Sequence, residues 1–297
     1  MKLFCALCEQ EKEVKPMSDY KHRSSLFENK KLFECGECGL IFIHPMPTPD
    51  ELDWYYKNVW IKDGKTVSTS HESELIYQIQ ADERLKYLSR HIGLADIKKV
   101  LDIGSGFGYL CDSFKKNGLK EGAFYATDPS PDNLARLKSE GISAFSSLDE
   151  VKEHDFDLIT LCCVLEHVND PVKFIALARE HLKPGGYMLI DVPERDDTFK
   201  PVLEPHVAVY TVESLKNLAK KLGLEVVHIT GYGTRRSELI ARANPNKGIL
   251  GRARSLAGRL AAKLARGKSA RENLYKEYKF DEEGRDRWWI RAILRKK

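Results

Sequence analysis

Lys99-Val100-Leu101-Asp102-Ile103-Gly104-Ser105-Gly106-Phe107-Gly108 is the stretch on which the fold turns. Its first five residues read as a short apolar strand, its glycines as a turn, and the residues that follow, through Phe114, as an amphipathic helix. Glycines at such a turn let the backbone pass close to a bound nucleoside, at the carboxyl end of a parallel strand where open α/β sheets place their ligands. A dinucleotide fingerprint, GxGxxG, would need glycine at Tyr109. The chain has GxGxG instead, with an acid, Asp102, inside the strand. A carboxylate is poorly placed beside a pyrophosphate and well placed beside a phosphate-free ligand that carries positive charge. Asp102, Gly104, Ser105, Gly106 and Gly108 are therefore the first expected cofactor contacts.

Working outward, the next strand, Ala123 to Thr127, ends in Asp128, twenty residues past Gly108. An acid at that position can accept hydrogen bonds from both hydroxyls of a ribose; the alternative is a capping or turn residue beside Pro129. Strands are expected at Ala144 to Ser146, Phe156 to Cys162, Tyr187 to Val192 and Leu224 to Thr230, and helices at Asp132 to Ser139, Pro171 to Leu182 and Val212 to Leu222. Lys183-Pro184-Gly185-Gly186 reads as a helix stop and turn, and Ser237 to Ala243 as a strand pairing back antiparallel. Regular alternation of strand and helix makes the class α/β, doubly wound.

The chain resembles the class I S-adenosylmethionine-dependent methyltransferases. The resemblance rests on Leu101 to Gly108, on Asp128, on Phe156-Asp157-Leu158-Ile159 followed by Val164-Leu165-Glu166-His167-Val168-Asn169-Asp170-Pro171, and on Leu182 to Gly186, and it covers about residues 75 to 243. It implies a Rossmann-like, seven-stranded, mostly parallel sheet whose last strand is antiparallel, and S-adenosylmethionine as cofactor. With its cysteine-rich N-terminus, the layout is similar to bacterial methyltransferases that carry a zinc ribbon and act on nucleotide-linked sugars or cell-surface polysaccharide intermediates. Relatives that methylate exocyclic base amines share an Asn/Asp-Pro-Pro-aromatic loop after the fourth strand, where this chain has Cys162-Cys163-Val164-Leu165. An RNA acceptor, reached through the ribbon and the basic tail, is the alternative, and a non-catalytic cofactor-binding protein is another.

Methyl transfer from a sulfonium is a direct displacement, so the protein mainly aligns and desolvates its reactants, and a base is needed only if the acceptor has a proton to lose. His206, in Glu204-Pro205-His206 after the fifth strand, is the favoured base, with Glu204 to orient it. His167 is the other candidate, although it also reads as a scaffold residue, and Glu166 reads as pocket-lining or structural. Cys162 and Cys163 read as buried packing, and Cys163 with Leu165 is expected on the cofactor side of the pocket.

Cys5-Ala6-Leu7-Cys8 and Cys35-Gly36-Glu37-Cys38-Gly39 are two CxxC knuckles 26 residues apart. Each turns two thiolates toward one point, and together they make a tetrahedral Cys₄ site that suits zinc. Four thiolates leave no open position, so the metal holds a module together and does no chemistry. The ribbon is expected over residues 1–49, a helical connector over 50–94, the methyltransferase core over 95–244 and a basic amphipathic tail over 245–297. In the connector, Trp54, Tyr55 and Tyr56 either cover a ligand pocket or pack on the core.

The net charge of +4 is modest, but the basic residues gather after Asn244. Ile249 to Leu264 carries an apolar helical face flanked by arginines, and Trp288 to Lys297 pairs tryptophans with lysines. Self-packing, docking on anionic lipid and an RNA contact are the three readings of this tail; Trp288 to Leu294 also reads as a final sheet strand, with 244 to 284 as a lid. No apolar run is long enough to span a bilayer and no secretory stretch opens the chain, so the expectation is a cytoplasmic protein, with contact at the inner face of the membrane if the tail docks there.

Overall fold

The computed structural model describes residues 1–60, 71–120, 123–243 and 268–297. The N-terminal module is a meander of β1 (Lys2–Cys5), β2 (Gln10–Asp19), β3 (Lys31–Cys35) and β4 (Ile41–His44), every pair antiparallel. Two helices lead out of it. The first, α1 (Pro49–Tyr55), has Thr48 as N-cap, bonded reciprocally with Glu51, and continues as a π-helical turn, Tyr56–Trp60; the second is the long α2 (His71–His91).

The core then runs β5 (Val100–Ile103), α3 (Tyr109–Lys116), β6 (Phe124–Thr127), α4 (Pro131–Ser139), β7 (Ser143–Phe145), β8 (Phe156–Cys162), α5 (Pro171–His181), β9 (Leu182–Pro193), β10 (Ala208–Val209), α6 (Val212–Lys221) and β11 (Leu224–Arg235). After it come α7 (Arg236–Ala243), α8 (Lys268–Tyr278) and β12 (Arg287–Lys296). Local chemistry sets the helix starts: Ser130 and Asp170 cap α4 and α5, and each is followed by proline at the first helical position.

The main sheet has the order β11-β12-β9-β8-β5-β6-β7. Strands β5 to β9 pair in parallel, and β12 is antiparallel to both its neighbours. The fold is thus the doubly wound, Rossmann-like methyltransferase sheet. Residues Phe156 to Leu161 of β8 are all buried, as helices on both faces require of a central parallel strand. Connections leave β5 toward β6 and return on the far side at β8, so a crevice opens at the carboxyl ends of β5 and β8.

Four sequence expectations change. Residues 237 to 243 lie in α7, a helix rather than a pairing strand. Lys183 to Gly186 belong to β9, where Leu182 already pairs with Phe156 and a register shift takes up the extra residues. Of the two readings of Trp288 to Leu294, the sheet strand holds and the lipid-facing tail does not: the segment lies in β12, inside the sheet, with Ile290 to Leu294 buried. Its cations are held by the fold: Arg287 by Glu282, Arg291 by Asp191, and Lys296 by the carbonyls of Arg179 and Leu182 at the end of α5. The amphipathic stretch from Ile249 to Leu264 lies outside the described residues. Among the described residues, no helix is long and apolar enough to cross a membrane.

The fourth change concerns the N-terminal module, which is no appendage. Strand β10, from the core, pairs with β4 as a fifth strand of the module's sheet, Ala208 against Phe42 and Val209 against Ile41. Cys5, Phe33 and Leu40 of the module share one apolar cluster with Leu101, Ile159 and Ile190 of the core. The segment that carries His206, from β9 to β10, therefore runs between two sheets.

Candidate functional site

At the mouth of the crevice lies a cavity of about 480 Å³, bounded by the ends of β5, β6 and β8, by α2 and by the π-turn. Gly104, Ser105 and Gly106 line it. The backbone of Gly104 is left-handed (φ +70°), and a Cβ there would stand 2.5 Å from Val164 Cγ2, so only glycine lets the β5 and β8 loops approach. The amides of Gly104 and Ser105 donate to the Thr127 carbonyl at 2.8 and 3.0 Å, which locks this loop to the end of β6.

Asp128 completes the lock. Its Oδ2 accepts from the Gly106 amide at 2.8 Å; its Oδ1 accepts from the Ser130 amide and from Asn133 Nδ2, both at 2.9 Å. Asp102 also lines the cavity, accepting from Thr160 Oγ1 at 2.5 Å, and burial pushes its carboxyl up to about 7. On this wall the buried side-chain atoms without protein partners are Ser105 Oγ and Asn133 Oδ1. Two acids, two unpaired polar atoms and a glycine edge open to the cavity at Gly106, where a Cβ would meet nothing within 4 Å, fit a hydroxylated, positively charged nucleoside.

On the opposite side stand the histidines. His167 lines the cavity, and its Nδ1 is buried with no partner. His206 lies behind it, ring centroids 4.8 Å apart and nearly perpendicular, and does not reach the cavity wall. Asp196, not Glu204, orients His206: the carboxylate Oδ2 sits 2.7 Å from Nδ1 and 3.0 Å from Lys200 Nζ. Burial opposes charge on Asp196, but its interactions with His206, a hydrogen bond first among them, and with the Lys200 ammonium hold its carboxyl at about 2. Burial lowers both histidines, and it pushes Glu166, 2% exposed with Oε2 unpaired, up to about 8. Glu166, His167 and His206 bring their ligand-capable atoms within 4.8 Å of one another.

Glu204 has a different task. It accepts from the Tyr55 hydroxyl at 2.7 Å and from the amides of Arg23 and Ser24, tying its loop to the N-terminal module. The module grips the neighbouring loops as well: the Tyr20 hydroxyl donates to the His206 carbonyl at 2.9 Å, the Ile43 amide to Val207, and Asn169 Nδ2 to Pro47.

Among the remaining expected contacts, Cys163 lines the cavity with Cys162. Leu165 does not; it is fully buried and its side chain joins the apolar core, because the turn Leu165–His167 rotates it inward. Gly108 also lies off the cavity, starting α3 with φ +80° against Leu137. Of the aromatic trio, Tyr56 lines the cavity, Tyr55 is buried in the module and Trp54 is exposed. Sequence reasoning missed Tyr77, Gln80 and Arg84, which present one face of α2 to the cavity at i, i+3 and i+7. Arg84 had a legible signal, a cation on the apolar face of Ile79, Leu85 and Leu88. Its Nε donates to Asp191 Oδ2 at 2.7 Å, with Tyr232 and Arg291 on the same carboxylate.

The four cysteines Cys5, Cys8, Cys35 and Cys38 converge, all Sγ atoms within 4.8 Å, with Cys5–Cys38 at 3.6 Å and Cys8–Cys35 at 3.8 Å. A tetrahedron of sulfurs about 2.3 Å from a zinc ion has edges near 3.8 Å, so the donor set fits that metal.

A family model described as a methyltransferase domain matches residues 74–229. A ubiquinone biosynthesis O-methyltransferase of Bradyrhizobium sp. (strain ORS 278) is 33% identical over 106 residues, 33% of this chain and 41% of that protein. The enzyme of the same name from Nitrobacter winogradskyi is 35% identical over 150 residues, covering 46% and 56%. The chain spans about half the length of the curated relatives it matches. Among solved structures, the plantazolicin methyltransferase BamL, in complex with a triazolic desmethylPZN analog and SAH, superposes with a TM-score of 0.51 at 14% identity over 83% of this chain and 94% of that one. The matched span runs from α2 into β11, holds every residue of the nucleoside-facing wall and takes in more than half of the sequence. The chain belongs to the methyltransferase domain family.

Proposed function

We propose that the chain transfers a methyl group from S-adenosylmethionine to an oxygen of a small-molecule acceptor. One observation carries the reading: a single cavity has the Gly104–Gly106 edge with Asp102 and Asp128 on one wall and His167 on the other. In this reading Asp128 takes the ribose hydroxyls, and Asp102 faces the cationic end of the donor. When bound, S-adenosylmethionine supplies an electrophilic methyl group whose bond to sulfur breaks as the bond to the acceptor forms, the electron pair staying on sulfur. The chain's own work is alignment, exclusion of water by Tyr56, Trp60 and Phe174, and removal of the acceptor's proton at His167 Nδ1, with His206 as a positioning residue.

Oxygen is preferred because the relatives are named for O-methylation in ubiquinone biosynthesis, and the aromatic wall suits a flat acceptor. Those names favour a small molecule over the expected glycan or nucleotide-linked sugar. The Cys5/Cys8/Cys35/Cys38 set is proposed to hold a structural zinc ion, and residues 1–49 to act as the module that fixes the acceptor-side loops.

Isothermal titration of the full chain with S-adenosylmethionine, S-adenosylhomocysteine and NAD tests the reading. The two sulfur nucleosides should bind and NAD should not; binding of NAD alone, or of none of the three, would overturn it.

A further inference from the structure

Glu166, His167 and His206 come from two loops, after β8 and after β9, yet their ligand-capable atoms lie within 4.8 Å of one another. Each offers an acceptor with no protein donor. Glu166 Oε2 and His167 Nδ1 are buried and unpartnered. His206 spends Nδ1 on Asp196 at 2.7 Å, which leaves Nε2 as the ring nitrogen it can offer a cation. A bridging proton does not account for the cluster, since no hydrogen bond joins its members.

The His206 ring is also set up from behind. Metal-binding histidines commonly donate their second ring nitrogen to a carboxylate or a backbone carbonyl, which fixes tautomer and direction. Asp196 does this for His206. Lys200 Nζ binds the same Asp196 oxygen, Oδ2, at 3.0 Å and holds the carboxylate in place. We propose that Glu166, His167 and His206 bind one divalent transition-metal cation, with Asp196 as the positioning residue behind it.

Two imidazoles and one carboxylate select a first-row cation such as Mn²⁺, Fe²⁺ or Zn²⁺ over Ca²⁺ and Mg²⁺, which prefer all-oxygen shells. Three protein ligands leave positions open, and His167 sets the cation at the cavity wall, where an acceptor hydroxyl can coordinate it and release its proton to solvent water. That role rests on the methyl-transfer reading and takes the place of direct proton transfer to His167, whose ring nitrogen is then a ligand; the presence of the site does not rest on it. The four thiolates of the N-terminal module form a separate, softer site.

The test is Mn²⁺ titration of the full chain followed by electron paramagnetic resonance, with S-adenosylhomocysteine binding measured on the same samples. Mn²⁺ favours nitrogen and oxygen ligands and leaves the cysteine cluster alone. One Mn²⁺ should bind per chain, binding should be lost in Glu166→Gln and His206→Gln, and Asp196→Asn, which keeps its shape, should weaken it about 10- to 100-fold. Absence of Mn²⁺ binding in the wild type, or binding that all three variants leave unchanged, overturns the proposal. Binding of S-adenosylhomocysteine without Mn²⁺ would sink the metal site and leave methyl transfer standing; Mn²⁺ without S-adenosylhomocysteine would do the reverse.

Discussion

Replacing Asp128 by asparagine isolates the group on which the nucleoside wall depends. The carboxylate holds three donors, two on Oδ1 and the Gly106 amide on Oδ2. An asparagine keeps the shape and places its amide oxygen where two donors wait, so its NH₂ group must face the Gly106 N–H. One bond to a charged acceptor, about 1.5–3 kcal/mol, is lost, and two others fall to the neutral range of about 0.5–1.5 kcal/mol. The folded state should lose about 3.5–6 kcal/mol by this reasoning, and the melting temperature about 2–4 °C for each of these. Bound nucleoside loses its ionised ribose acceptor as well, so affinity for S-adenosylhomocysteine should fall about 30- to 1,000-fold at 1.4 kcal/mol per decade. Calorimetric melting and isothermal titration read the two effects separately. A variant that melts lower yet binds within about threefold of wild type would make Asp128 a loop tie and nothing more; unchanged melting would refute the hydrogen-bond reasoning itself.

Three further outcomes are expected. Gly104→Ala should cost about 1–2 kcal/mol for its left-handed backbone and about 1–3 kcal/mol for the overlap with Val164, and adding Val164→Ala should restore only the second part in urea unfolding. Because burial holds the Asp102 carboxyl near 7, its ionised form appears as pH rises through that value; affinity for the cationic donor should climb about tenfold between roughly pH 6 and pH 8, and a flat profile would remove Asp102 from the site. The same raised carboxyl favours the folded state below its unfolded value of 3.8, and that contribution is lost as pH rises toward 7. Removing metal from the cysteine cluster with a chelator should speed hydrogen exchange at Ile41, Ile43 and Val209, where β4 meets β10, while the amides of β5 and β8 stay protected.

The readable parts of this protein were those whose physics is local. A strand, a glycine turn and a helix follow one another within twenty residues, and paired CxxC knuckles announce themselves. What stayed hidden depends on distant partners. The arginines and lysines around Trp288 and Trp289 suit a membrane-facing pattern as well as a sheet strand, and only their contacts with Asp191, Glu282 and the carbonyls closing α5 decide for the strand. Strand β10 is only two residues long, too short for any periodicity, yet it joins the sheets. Asp196 is one acid among several after β9, and only the folded loop brings it to His206. Leu165 was misplaced because adjacent residues of a tight turn point in different directions, inward for Leu165 and to the cavity for His167.

The position of β12 has a bearing on how the molecule is made. Met188 on β9 must wait for Leu294, more than a hundred residues later, before the middle of the sheet can close. Until then β9 and β11 present two bare strand edges side by side, the kind of surface on which nascent chains stick to one another. A stop codon just before Arg287 would spare every residue lining the cavity and still leave a sheet with a missing rib. Loss of activity from such a lesion would be a failure of assembly, visible as insoluble protein long before any assay of chemistry.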